Sequence, residues 1–499
     1  MMDPEGWMRQ ILARRREEGT LRELRTPEQD RCFVDFTSND YLGLGRAADL
    51  RQAAKLEAER ARKETAERRR TRQRPAWTGT DSDASNGSST TNGNSIGDST
   101  TDSGYDNGDS FPIVGSGGSR LLSGNSLYAE ELEGWIAPFH GRPAALLFNS
   151  GYDANLGLMS CLPQPGDIVV CDELVHNSVR MGCRLGRQKE TMLFRHNDFQ
   201  HLEATLEGLR SRGAGSAPAN IFVAVESVYS MDGDLAPLRE ILGVAAAHGA
   251  LVIVDEAHGT GVFGEQGRGL VSALNLEAHP ALLAGMHSFG KAFGAHGAVV
   301  VGSTTLKDFL VNYARPLIYS TSLPLDSLAC IRCAYLMQAR ADDRRRRVLE
   351  LADRFQSLLS DADVNSWADG TAPSPPLDAK DIPRHRSPIQ SVLIAGNERC
   401  LLVADSLRAL GFDVRAIRKP TVAEGTERLR ITLHAYNTDE EVESLARHIR
   451  RLAANKGSSA DKARARTSEG DEGGTRASGG ALARDSIVLL GEAATRARL

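Results

Sequence analysis

The sequence predicts an α/β protein: a large unit built on a mostly parallel sheet flanked by helices, then a smaller α+β unit. Three observations predict it. Short, continuously apolar runs recur at Ala144–Phe148, Ile168–Cys171, Ile221–Val225, Leu251–Val254 and Ala298–Val301, as in strands buried on both faces. Helix-like segments separate most of these runs, the alternation that builds a parallel sheet. After about residue 325 the pattern changes. A helical stretch passes through Tyr335 and Met337, and a strand-like Leu429–Leu433 precedes a helix over 438–453.

The elements divide the chain as follows. Residues 1–77 form an N-terminal arm and helices, with one helix over roughly 49–74 that ends in Arg68, Arg69, Arg70, Arg72 and Arg74. That end is expected to be solvated. Residues 78–110 are almost entirely Gly, Ser, Thr, Asn and Asp, without Lys or Arg. Such a segment buries too little to offset its ordering entropy, so a disordered insertion is expected. Residues 111–325 form the large unit and 326–453 the small one. A Pro-rich, charged loop insertion interrupts the small unit at 371–386. The tail, 454–499, is expected to be flexible.

Charge and composition exclude several classes. With 60 Lys and Arg against 65 Asp and Glu, the net charge is −5, which disfavours a globally basic nucleic-acid binder. No uncharged run of 18 apolar residues is present, so no membrane span is expected. The N-terminus lacks the apolar core of a secretory signal. Seven cysteines are too sparse for a disulfide scaffold, and the Cys330/Cys333 pair reads as structural. No G-x-S-x-G or H-E-x-x-H occurs, and no metal site is expected.

Several motifs carry chemistry. Gly285 to Lys291 fits G-x-x-x-x-G-K, but Ala292 stands where a phosphate loop needs a hydroxyl for its metal. Lys291 among small neighbours suits Schiff-base chemistry instead, if its surroundings lower its pKa. The strand Leu251–Val254 ends in Asp255, with His258 three residues on. At the carboxyl end of a parallel strand, Asp255 can pair with a cationic ligand group, cap the next turn, or join Glu256 on a metal. Ser150, Gly151 and Tyr152 follow a strand and open a helix, a place for an anion. His176 lies near a strand end, where it is either structural or able to lie on an aromatic ring. The glycine-rich GSGGSR at 115–120 does not complete a dinucleotide fingerprint.

These pieces, in order, resemble the α-oxoamine synthases, pyridoxal phosphate (PLP)-dependent transferases of fold type I, the class I/II aminotransferase fold. The resemblance spans about Trp7 to Arg451 without the insertions. It rests on Phe36–Leu44, GSGGSRLLSGNS at 115–126, Ser150–Tyr152, Asp172–His176, Ser230–Asp234, VDEAHGTGVFGEQGRG at 254–269, Ser288–Gly294, Tyr319–Pro324 and Arg418–Thr432. It implies a seven-stranded-type sheet, a homodimer with shared active sites, and a set of roles. Lys291 would carry the cofactor, Asp255 would pair with its ring nitrogen, and His176 would stack on the ring. His258 and Ser230 would lie near the ring oxygen. Ser150, Gly151, Tyr152 and Ser288 would hold the phosphate, joined by Thr321 from the partner subunit. Arg430 would hold the amino-acid carboxylate, Asn39 would line the substrate site, and Arg22 would meet the far end of the acyl chain.

The implied reaction is that of an acyltransferase. L-Alanine and pimeloyl-CoA, or a pimeloyl-carrier thioester, condense with loss of CO₂ and free thiol to give 8-amino-7-oxononanoate, a step of biotin biosynthesis. Relatives on this frame join glycine, serine or alanine to other acyl-CoA or polyketide chains, and some are non-catalytic partner subunits. Retention of Lys291, Asp255, His258 and His176 argues against the last of these. The chain departs from the family pattern at Ala129, Lys419 and Tyr436. Its ending, Ala497-Arg498-Leu499, resembles the small-basic-leucine peroxisomal address read by an import receptor; without that signal a cytoplasmic location is expected.

Overall fold

The structure, a computed structural model, describes residues 5–17, 21, 24, 26, 33–72, 115–211, 220–361, 376–383, 385–419 and 421–454. Arg22, the 78–110 insertion, the first part of the 371–386 loop and the C-terminal tripeptide lie outside the described residues.

Among the described residues twelve strands form three sheets: β1 Val34–Asp35, β2 Ala144–Phe148, β3 Ile168–Asp172, β4 Glu190–Phe194, β5 Ile221–Glu226, β6 Leu251–Asp255, β7 Leu282–Ser288, β8 Ala298–Gly302, β9 Ile389–Leu393, β10 Phe412–Asp413, β11 Arg415–Ile417 and β12 Arg428–Thr432. The central sheet has seven strands in the order β2-β8-β7-β6-β5-β3-β4. Only β8 runs against its neighbours, so the other six point their carboxyl ends the same way. The five apolar runs read from the sequence are all strands of this sheet. The two it missed have physical reasons. β4 is an edge strand that alternates exposed and covered residues. β7 is interrupted by Gly285, where a Cβ would stand 3.3 Å from both His287 and Val301, and by His287.

Helices cover both faces, and their starts follow local chemistry. Ser150 and Ser126 cap the helices Gly151–Cys161 and Leu127–Phe139 by accepting from the third following backbone N–H. Asp439, Glu440 and Glu441 occupy the first turn of Asp439–Ala454, favourable at the positive end of the helix dipole. A second sheet, β11-β12-β9, is antiparallel. One apolar cluster joins Phe36 and Tyr41 to Ile136, Phe289, Tyr335, Val348, Ile389 and Leu445. The segment after β1 is thereby packed into the interior rather than left as a loose arm. Among the described residues no helix is long and apolar enough to cross a membrane.

Candidate active site

The carboxyl ends of β2, β3, β5, β6 and β7 open on one region, and most of the expected residues converge there. Lys291 follows β7 in a turn closed by Gly294. Gly294 has φ +62°, and a Cβ on it would lie 2.1 Å from the Gly45 nitrogen. Only glycine permits this approach, which seats the lysine turn against the segment bearing Asn39 and Tyr41. Ala292 faces Gly261, whose Cβ position is 2.6 Å away. The G-x-x-x-x-G-K match is therefore fortuitous: Gly285 to Ser288 are strand, not a loop around a phosphate.

The Lys291 amine has no hydrogen-bond partner among the described residues. Burial disfavours its ammonium and pushes its pKa down to about 8, with Arg430 acting the same way and Asp255 and Glu226 opposing. Asp255 ends β6, buried. Its Oδ2 accepts from Asn155 Nδ2 at 2.7 Å and its Oδ1 from the Ala257 N–H at 2.8 Å. The carboxylate thus does cap its turn, as the simpler reading held, and is also aimed by a second residue. Asn155 donates in addition to Ser178 Oγ at 3.0 Å, which lies 2.7 Å from His176 Nδ1. His176 caps the helix Asn177–Leu185, and the Ser178 N–H donates to Nδ1 at 3.2 Å. Nδ1 is therefore unprotonated and the neutral ring carries its proton on Nε2. Burial and the Lys291 charge lower the His176 pKa against the pull of Asp255.

A second chain of contacts crosses from the small sheet. Arg430 on β12 donates from Nη2 to Asn39 Oδ1 at 3.0 Å, from Nη1 to Thr432 Oγ1 at 3.0 Å and from Nε to the Ser230 carbonyl at 2.6 Å. The Tyr41 hydroxyl is 3.3 Å from Asn39 Oδ1 and 2.5 Å from His258 Nδ1. Burial raises the Tyr41 pKa. It also drives the His258 pKa well below its usual range, helped by the charges of Lys291, Arg430 and His176. The ring of His258 is neutral.

Ser150 caps its helix, with its hydroxyl donating to Asp153 Oδ2 at 2.9 Å. Gly151 comes close to Ser288: a Cβ on Gly151 would lie 3.4 Å from Ser288 Cβ. The N–H groups of Gly151 and Tyr152 stand outside the helix ladder. Thr321 is exposed, and its carbonyl accepts from Asn149 Nδ2 at 2.8 Å. Ser230 is brought in by its carbonyl on Arg430.

Three residues are additions. Asn155 lies within a motif read from the sequence, but its function as the orienter of Asp255 needed the fold. Tyr41 bridges Asn39 and His258. Glu226 ends β5 in register with Asp255, buried, with Oε1 unpartnered; burial and then the Asp255 charge push its pKa well up. One alternative is removed. Glu256 does not join Asp255 on a metal, because its carboxylate accepts from Ser227 Oγ and the Leu270 and Val271 N–H groups.

The set matches what PLP asks of a protein. A poorly solvated amine can join the aldehyde. A carboxylate held by neutral donors can accept from a protonated ring nitrogen. A helix start with close small residues can receive a phosphate.

The aminotransferase class I and II family model matches residues 95–449. The 8-amino-7-oxononanoate synthase of Emericella nidulans is 43% identical over 342 residues, 67% of this chain and 80% of its own length. The enzyme of the same name from Chlorobaculum parvum is 36% identical over 337 residues, 68% and 80% of the two chains. A Bacillus licheniformis relative is 35% identical over 439 residues, 88% and 95% of the two. Among solved structures, an SPT variant with PLP is 26% identical, with a TM-score of 0.64 over 85% of this chain and 88% of that one. The chain belongs to the class I and II aminotransferase family and, within it, to the α-oxoamine synthases.

Proposed function

We propose that the chain is a PLP-dependent acyltransferase that condenses L-alanine with a pimeloyl thioester, releasing CO₂ and thiol and giving 8-amino-7-oxononanoate for biotin synthesis. The observation that carries the chemistry is Lys291. Its amine is poorly solvated, has a pKa near 8 and faces the Asp255 end of the sheet. The names of the relatives support the substrate pair.

Bound here, PLP supplies an electron sink for a carbanion at the α-carbon of the amino acid. Lys291 would hold the cofactor through its amine and, when free, would take the α-proton of alanine on Nζ. Asp255, aimed by Asn155, would keep the ring nitrogen protonated. His176, as a neutral imidazole, would cover the ring. His258 and Ser230 would serve the ring oxygen, with Tyr41 setting the orientation of His258. The Gly151 and Tyr152 N–H groups, with Ser150 and Ser288, would hold the phosphate. Arg430 orients the alanine carboxylate, Asn39 fixes Arg430, and Arg22 meets the far carboxylate of the acyl chain.

The working unit is a homodimer in which Thr321 serves the partner's phosphate site. Exposed Tyr319 and Leu122 beside these loops, 81% and 86% accessible, support it. The tripeptide Ala497-Arg498-Leu499 directs import into peroxisomes. A fluorescent protein bearing the last dozen residues should turn punctate, and it should turn diffuse without Leu499.

The deciding experiment supplies PLP-loaded protein with L-alanine and pimeloyl-CoA and follows free thiol and product mass. Thiol release with 8-amino-7-oxononanoate supports the reading. Release only with another amino acid or acyl-CoA, for instance serine and a long chain, moves the chain elsewhere among the α-oxoamine synthases.

A further inference from the structure

Beyond the strand ends that hold Lys291 and Asp255, one half-buried polar cluster has a geometry that the reaction itself does not use. His196, in the turn after β4, is sandwiched between two carboxylates. Its Nδ1 lies 3.0 and 3.2 Å from the two Asp172 oxygens, and its Nε2 lies 2.6 Å from Asp234 Oδ2. A neutral imidazole has one N–H, so contact of both nitrogens with carboxylates requires the imidazolium. Asn197 doubles the bridge. Its N–H donates to Asp172 Oδ2 at 2.8 Å and its Nδ2 to Asp234 Oδ2 at 2.6 Å. Asn197 adopts φ 54° to do so, a left-handed conformation that asparagine tolerates better than most residues.

The two carboxylates belong to two loops of the site. Asp172 ends β3 and also takes the Leu174 N–H at 2.8 Å, two residues before His176. Asp234 closes the hairpin 228–235, where the Tyr229 N–H donates to the Asp234 carbonyl at 3.0 Å and Val228 bridges Leu235. The tip of that hairpin bears Ser230, whose carbonyl takes Arg430 Nε, and Asp232, which accepts from Ser391 Oγ at 3.0 Å and from Arg428.

We propose that His196 is a positioning residue: its imidazolium ties the Asp172 strand end to the Asp234 hairpin and, through the Ser230 carbonyl, sets the guanidinium of Arg430 for the carboxylate of the amino-acid substrate. This rests on the function proposed above for Arg430. Burial of the ring opposes its charge, but Asp172 and Asp234 outweigh that and push the His196 pKa up to about 10. The other groups facing the cluster are Glu173, which accepts from the His196 N–H at 3.0 Å, and the buried Tyr229, edge-on at 4.4 Å. Glu226 lies behind Asp172 and Tyr229, and Asp232 and His385 lie beside Asp234.

The test uses the PLP-loaded full chain. His196→Asn and Asp234→Asn should each raise KM for L-alanine about tenfold or more, the scale of a small misplacement of a binding group. KM for pimeloyl-CoA and the bound PLP should stay unchanged. The double variant should be no worse than the poorer single one. In protein labelled at histidine, the imidazole signal absent from His196→Asn should be that of a charged ring at pH 7 and should titrate near pH 10. An unchanged alanine KM in the folded variants, equal rises in both KM values, or a signal titrating near pH 6.5 overturns the proposal. If alanine is not a substrate at all, the proposed function fails by itself, and the imidazole titration still decides whether His196 is the charged clamp.

Discussion

Asp255 and Glu256 are neighbours in sequence, as are Ser288 and His287, yet each pair is divided between two environments. On one side, Asp255 makes one hydrogen bond per oxygen, the Lys291 amine has no hydrogen-bond partner among the described residues, and Ser288 abuts Gly151. On the other side most of the bonding capacity is spent within the protein. Glu256 accepts three hydrogen bonds. His287 Nδ1 lies 2.8 Å from Thr260 Oγ1. His287 stacks at 3.8 Å on His140, whose nitrogens meet the Tyr335 hydroxyl at 2.9 Å and the Arg268 carbonyl at 3.1 Å. The two regions bury the same kinds of side chain. What separates chemistry from scaffolding is whether bonding capacity is spent inside the protein or left for a ligand.

The largest expected effect comes from emptying the first region. Lys291→Ala should lower turnover by at least about 10³-fold, since it removes both the attachment point and the base. Its melting temperature should not fall, because the amine removed makes no hydrogen bond among the described residues. Single-turnover kinetics and thermal melts check both halves. Steady turnover by this variant removes Lys291 from its role.

A pair of isosteric changes sharpens the comparison. Asp255→Asn should cost about 10²-fold or more in kcat with a modest change in stability, because its one oxygen can keep the Ala257 N–H while the Asn155 amide turns its own oxygen toward the new amide nitrogen. Glu256→Gln should do the reverse. Its amide nitrogen must face backbone N–H groups, at about 1–3 kcal/mol, while kcat per folded enzyme stays largely unchanged. Denaturant unfolding and steady-state kinetics on both variants decide it. The same response in both would erase the distinction between the two regions.

The sequence made much of this legible because strands buried on both faces are written as unbroken apolar runs. Five of the seven central strands could be read that way, and with them the position of Asp255 at a strand end. β4 and β7 escaped because one is half solvated and the other contains a glycine and a histidine. β9 is interrupted by Gln390 and Ser391, and β10 and β11, of two and three residues, are too short to carry a pattern. Lys291, Asp255, His176 and His258 were singled out through the resemblance their motifs carry, and the fold brings them to one region. Glu226 looked like the polar end of an apolar run, and only the β5–β6 register sets it beside Asp255. Asn155 and Tyr41 depend on contacts 100 and 217 residues away in sequence, which local pattern cannot encode. The motif at 285–291 matches a phosphate loop in residue type, but Ala292 already spoke against that reading, and four of its residues are strand.

The smallest expected effect is seen only on acidification, and it probes the second region. His140 and His287 are buried as neutral rings. Burial is the main cause: it takes the His140 pKa down to about 3 against the opposing hydrogen bond to the Arg268 carbonyl, and that of His287 well below its usual range, with the His140 charge adding to it. An unfolded histidine titrates near ~6.5. Between that value and about 3 the unfolded chain therefore holds protons that the folded chain does not, and stability rises with pH across this window. The contribution is complete above pH 6.5 and is lost as the pH falls toward 3, at up to about 1.4 kcal/mol per pH unit for each histidine. Denaturant unfolding of wild type and His140→Phe between pH 7 and 5 reads it. The variant should be less stable at pH 7, because Tyr335 and the Arg268 carbonyl lose their partner, but its stability should fall less steeply with acid. Equal slopes would mean that the stacked pair takes up its protons without unfolding. The second region would then share the openness to protons that distinguishes the first.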